Sequence, residues 1–178
     1  MRFIIRGTLV LILATLTQCK TCRPIELEDV RMASRAVYAI SRDVMYTGGT
    51  IRGTSFKVNK IITAKFLGES LKVLVASHEN VTLICFRGTS SLVQLLHQVQ
   101  SSVVMETITI GGRTMKVMKY FERALQLLKP DELINSSPKF TKRFVITGHS
   151  LGGALASLFS IYMKDHLKWT NPGMYVRV

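Results

Sequence analysis

The sequence predicts an α/β domain built on a central, mostly parallel or mixed sheet with helices on both faces. Three observations predict it. The runs Val81-Thr82-Leu83-Ile84-Cys85-Phe86 and Arg143-Phe144-Val145-Ile146-Thr147 are too continuously apolar for half-exposed strands, so both are expected inside a covered sheet. Each run breaks at a glycine, Gly88 or Gly148, which ends a strand in a turn. Strand-like segments alternate with helical periodicity along the chain, the pattern of a sheet layered between helices.

Taken in order, the first segment is not part of that fold. Met1-Arg2-Phe3-Ile4-Ile5-Arg6 is a basic start, Gly7 to Thr17 is an apolar core, and Thr17 and Cys19 are small residues at the positions preceding a cut. Residues 1–19 therefore read as a secretory signal peptide. The run is shorter than the about twenty apolar residues that a membrane anchor needs. Reading Leu16-Thr17-Gln18-Cys19 as a lipoprotein signal suffers from Gln18, which is not small. The protein is expected to be secreted and extracellular, with residues 20–178 forming the N-terminal portion of a single domain. Leu27 to Val44 predicts the first helix, Ser55 to Phe66 and Leu71 to Ala76 predict strands leading to Val81-Phe86, and Glu106 to Ile110 predicts another. Arg113 to Leu128 predicts an amphipathic helix, with Met118, Phe121, Leu125 and Leu128 on one face and Lys116, Lys119 and Arg123 on the other. Lys129 to Lys142, with two prolines, predicts the loop into Arg143-Thr147, and Gly173 to Val178 reads as the start of a further strand.

The string Gly148-His149-Ser150-Leu151-Gly152-Gly153 carries the chemistry. It follows an apolar strand and opens a helix that stays apolar nearly all round until Lys164, so that helix is expected to lie buried against the sheet. Lys164 and Lys168 suit the negative pole of its dipole. A strand, a sharp turn and a helix with serine at the apex form the nucleophile elbow of an α/β-hydrolase. The turn forces the serine into a strained conformation, and glycines two before and two after it let the two backbones approach. Ser150 is the candidate nucleophile.

Upstream, the strand ending at Phe86 breaks at Arg87-Gly88-Thr89-Ser90. By itself that string also suits an ordinary strand-end turn with a glycine at positive φ. The two clusters together resemble the class 3 lipase family, whose members carry Phe-Arg-Gly-Thr/Ser at one strand end and a Gly-His-Ser-Leu-Gly-Gly-Ala elbow roughly sixty residues later. The resemblance implies that the backbone N–H groups of Thr89 and Leu151 meet the oxyanion of the tetrahedral intermediate. Such donors are fixed before the charge develops, and loss of one slows catalysis by about a hundred- to a thousandfold. It also implies a short helical lid over Ser91 to Val99, with Leu92, Leu95 and Leu96 on its apolar side and leucine where relatives often have tryptophan. The same spacing fits an amphipathic helix packed on a core, and both readings stand. Where many relatives have His-x-Gly-Phe, this chain has Met115-Lys116-Val117-Met118.

A serine nucleophile needs a histidine base held by a carboxylate, in the chain order Ser, Asp/Glu, His in this fold. After Ser150 the sequence contains Asp165 and His166, on the same helix and roughly 22 to 24 Å away at 1.5 Å rise per residue, so neither can reach it. His149 adjoins the nucleophile and reads as a family-typical elbow residue, His78 as a loop residue and His97 as a lid residue. No triad Asp and His are therefore identified in these residues. The expectation is either an incomplete version of a longer lipase or a truncated homologue without catalysis.

Secretion would permit disulfides and glycans. Cys19 is expected to leave with the signal, Cys22 is a candidate for pairing outside this sequence, and Cys85 reads as a buried thiol. Asn80-Val81-Thr82 and Asn135-Ser136-Ser137 match the N-glycosylation sequon and fall in expected loops. The net charge of +13, two of it from Arg2 and Arg6, makes an anionic membrane surface a candidate partner beside the lipid ester at its interface with water. Nucleic acid is not expected, because no binding motif accompanies the charge. No metal or cofactor is implied. The leading expectation is a secreted serine hydrolase that cleaves carboxylic esters of lipids, triacylglycerol lipase-like, through an acyl-enzyme at Ser150. The alternative is a non-catalytic, secreted lipid- or surface-binding relative that kept the elbow and lost the triad.

Overall fold

The computed structural model describes residues 27–39, 47–67, 69–88, 104–110, 112–141, 143–170 and 175–177. The signal-peptide reading and the continuation of the first helix to Val44 lie outside them. The chain runs through α1 (Leu27–Ala39), β1 (Lys57–Phe66), β2 (Glu69–His78), β3 (Val81–Phe86), β4 (Met105–Ile110) and β5 (Arg113–Met118). It continues through α2 (Lys119–Leu127), α3 (Pro130–Asn135), β6 (Arg143–Gly148), α4 (Leu151–Thr170) and β7 (Tyr175–Arg177).

Five strands form one mixed sheet in the order β1-β2-β3-β6-β7. The first three pair antiparallel as a meander, and β3, β6 and β7 run parallel. All six residues of β3 are buried, as its unbroken apolar run requires. Alternate side chains of a strand point to opposite faces. Leu83 and Cys85 accordingly pack under α1 with Ala33, Val37, Leu74 and Val145. Ile84 and Phe86 pack on the other face with Phe144, Ile146, Leu155 and Phe159. The rings of Phe86 and Phe159 lie 5.4 Å apart between centroids, joining the central strand to α4. Removing a fully buried ring of this kind typically costs about 3–5 kcal/mol. Cys85 is a free, fully buried thiol whose Sγ stands 4.0 Å from Ser34 Oγ on α1. Burial pushes that thiol up to about 12, so it stays protonated.

Two local expectations are corrected. Arg113 to Leu128 is not one helix: Arg113–Met118 is β5, paired with β4 as a separate two-stranded sheet, and only Lys119–Leu127 is helical. Thr114 and Lys116 face solvent while Met115 and Val117 are half-buried, a period of two that the helical reading overrode. The turn at Gly112, with φ of +71°, closes this hairpin. The presumed loop Lys129 to Lys142 contains α3, which starts with Pro130 in its first turn, carries Asp131 and Glu132 near its positive pole, and buries Leu133. Lys60 Nζ on β1 lies 2.5 Å from Glu132 Oε1, tying α3 to the sheet.

Candidate active site

The register pairs Val81 with Arg143 and Phe86 with Gly148, so β3 and β6 end together and their carboxyl ends form one rim. Ligand sites of open α/β sheets lie at this rim. At it β6 stops, His149 and Ser150 make the turn, and Leu151 opens α4.

Ser150 is exposed and has φ of +57°, a left-handed conformation that a non-glycine residue adopts at a cost of about 1–3 kcal/mol. Backbone bonds hold it there. Gly152 N–H donates to the His149 carbonyl at 3.0 Å, and Gly153 and Ala154 N–H donate to the Ser150 carbonyl at 2.9 and 3.3 Å. The flanking glycines are required by space. A Cβ at Gly148 would stand 2.2 Å from the Gly152 carbonyl oxygen, and one at Gly152 would stand 2.2 Å from that of Phe86. The first contact closes strand on helix, and the second seats α4 on the end of β3. Leu151 is buried, and as the first residue of α4 its amide has no intrahelical acceptor.

Across the rim, Thr89 and the lid residues Leu92, Leu95 and Leu96 lie outside the described residues. Gly88 lies within them and is buried. Its φ is not positive, contrary to the simple turn reading. Glycine is needed there because a Cβ would stand 2.5 Å from Tyr38 Oη and 2.6 Å from the His149 carbonyl oxygen. Buried Arg87 donates from Nε to the Gly88 carbonyl at 3.3 Å.

Tyr38, on α1, was not singled out from sequence. Its Oη lies 3.2 Å from His149 Nδ1, and the two rings meet edge-on at 6.2 Å. Burial raises the Tyr38 pKa, against the opposing pull of the Gly88 N–H and Arg87. The partners are 111 residues apart, so no local pattern joined them. The available trace was a hydroxyl-bearing ring beside the buried positions Ala33, Ala36 and Val37.

The remaining site residues separate clearly. His78 is the last residue of β2, not a loop residue, and its ring packs 5.9 Å from that of Phe56. It pairs with Val81 at the amino end of β3, roughly 17 Å from the elbow at 3.3 Å per residue. Asp165 lies far along α4 and His97 lies outside the described residues. Asn80 sits in the β2–β3 turn with its side-chain oxygen buried, and the hydroxyl of its sequon partner Thr82 is buried against Thr141 at 2.8 Å. Asn135 ends α3 instead of lying in a loop, and it is exposed.

A mixed sheet covered on both faces, with a left-handed serine between strand and helix at the carboxyl rim, defines an α/β-hydrolase fold. The profile of the class 3 lipases matches residues 83–175, just over half of the chain, and the chain belongs to that family. Among solved structures it is similar to the triacylglyceride lipase of Rhizomucor miehei, at 18% identity and a TM-score of 0.54, over 86% of this chain and 62% of that one. It is also similar to a triacylglycerol lipase from Penicillium expansum, at 17% and 0.60, over 83% of this chain and 56% of that one. A lipase from Rhizopus microsporus var. chinensis matches at 18% and 0.59, over 83% and 54%. These likenesses establish the fold, and the chain spans between 54% and 62% of the three lipases' length. No curated protein sequence matches the chain.

Proposed function

We propose that residues 20–178 are the nucleophile-bearing portion of a secreted serine hydrolase that cleaves carboxylic esters of lipids, as the triacylglycerol lipases of its fold do. The observation that carries this reading is the strained, exposed Ser150 on an elbow closed by Gly148 and Gly152. Ser150 Oγ attacks the ester carbonyl carbon while a base takes its proton. The carbonyl oxygen gains negative charge and is met by the amides of Leu151 and Thr89. The alcohol departs with the proton, and water then releases the acid from the acyl-enzyme. The base and its carboxylate come, in this reading, from residues outside those described. Leu92, Leu95 and Leu96 serve as the apolar side of a lid at the lipid–water interface, residues 1–19 direct secretion, and the basic charge favours anionic membrane surfaces. Exposed Asn135, and Asn80 in the β2–β3 turn, each bear a glycan on the amide nitrogen.

A second reading, a lipid- or surface-binding relative without catalysis, is favoured by two imidazoles. His149 is engaged with Tyr38, and His78 is at the far end of the sheet. A fluorophosphonate probe applied to the natural secreted protein separates the two. Labelling that disappears in Ser150→Ala supports the hydrolase, and lipid binding without labelling supports the alternative. The intact mass of the same sample, before and after glycan removal, tests the cut after residue 19 and the glycans at Asn80 and Asn135.

A further inference from the structure

Gly88 and the elbow approach each other at the rim, and one side chain from a distant helix joins them. A tyrosine hydroxyl carries one proton and two acceptor lone pairs. Tyr38 Oη hydrogen-bonds to His149 Nδ1 at 3.2 Å and lies against Gly88, whose N–H pulls the tyrosine pKa down against the effect of burial.

Gly88 is further held by Arg87, whose Nε donates to its carbonyl at 3.3 Å. His149 stands two residues before Leu151, a proposed oxyanion donor. α1 is itself anchored, with Ala33 and Val37 fully buried against the sheet, so the tyrosine is presented from a fixed support.

We infer that Tyr38 is a positioning residue: its hydroxyl ties the turn at Gly88 to the elbow at His149 and so sets the separation of the two walls between which the ester oxygen becomes an oxyanion. The inference rests on the serine-hydrolase reading of Ser150. Tyr38 touches no substrate. It acts through the geometry of donors whose value depends on being preorganised, and a misplacement of about 1 Å in such a site costs roughly a hundredfold in rate.

The test uses the full-length secreted protein and a soluble short-chain p-nitrophenyl ester, comparing wild type, Ser150→Ala and Tyr38→Phe. Phenylalanine keeps the ring and removes the tie. Expected is a fall in kcat of roughly ten- to a hundredfold with KM and thermal midpoint unchanged. The 15N shifts of His149 in the histidine-labelled variant should differ from those of wild type, because Nδ1 loses its hydrogen-bond partner. Unchanged kcat overturns the inference. So does a fall in kcat accompanied by a matching loss of thermal midpoint, which would make Tyr38 a packing residue only. Activity that survives Ser150→Ala, or none in wild type, overturns the hydrolase reading itself and the positioning role with it. The His149 spectrum would then still report whether the Tyr38–His149 hydrogen bond exists.

Discussion

At their carboxyl ends β3 and β6 run into Gly88 and Gly148, where backbone touches backbone, a serine sits in a left-handed conformation, and Tyr38 hydrogen-bonds to His149. At their amino ends the same two strands start from a turn at Asn80 and from Arg143, whose N–H donates to the Asn80 carbonyl at 3.1 Å. There the buried polar contact is an ordinary one, the Thr82 and Thr141 hydroxyls at 2.8 Å. One strand pair thus carries two kinds of precision. The lower end is held by side chains, which can be exchanged at a modest cost. The rim depends on the absence of side chains at Gly88, Gly148 and Gly152, where any Cβ would meet backbone, with Tyr38 bridging to His149 across it.

The sharpest way to break this contrast is Gly152→Ala. A methyl group there meets the Phe86 carbonyl at 2.2 Å, with backbone on both sides, so the variant should lose at least about 3 kcal/mol in urea unfolding. A tolerated alanine would show that the rim has slack. Thr82→Val is the matching change at the other end. It leaves the Thr141 hydroxyl buried without its partner and should cost about 1–3 kcal/mol, with fluorophosphonate labelling of Ser150 unaffected. Lost labelling would mean that the two ends are coupled along the strands. The smallest effect has the opposite sign: Ser150→Gly relieves the positive φ and should stabilise by about 1 kcal/mol while abolishing labelling. A destabilised glycine variant would show that the elbow is not strained.

What could be read from sequence follows the same division. The buried strands announced themselves through unbroken apolar runs, and the elbow through glycines whose spacing has a steric cause. The β5 segment misled because Met118, Phe121, Leu125 and Leu128 continue a helical period backward across a strand of only six residues. α3 was hidden because Pro130 reads as a breaker, although at the first turn of a helix a proline is already shaped to fit. Tyr38 was invisible for a different reason. Its meaning comes from a partner on another element, and tertiary hydrogen bonds leave no periodicity. Thr89 and the leucines of the lid reading remain expectations of the family pattern.

Cys85 lies in β3, one residue before Phe86, and is sealed beneath the helix that carries Tyr38. A thiol held protonated and away from solvent reacts slowly with disulfides and alkylating reagents. Access to it opens when α1 lifts from the sheet, the same movement that would withdraw the tyrosine from the rim. Its rate of alkylation is therefore a built-in gauge of helix docking, readable without substrate and at a distance from the serine.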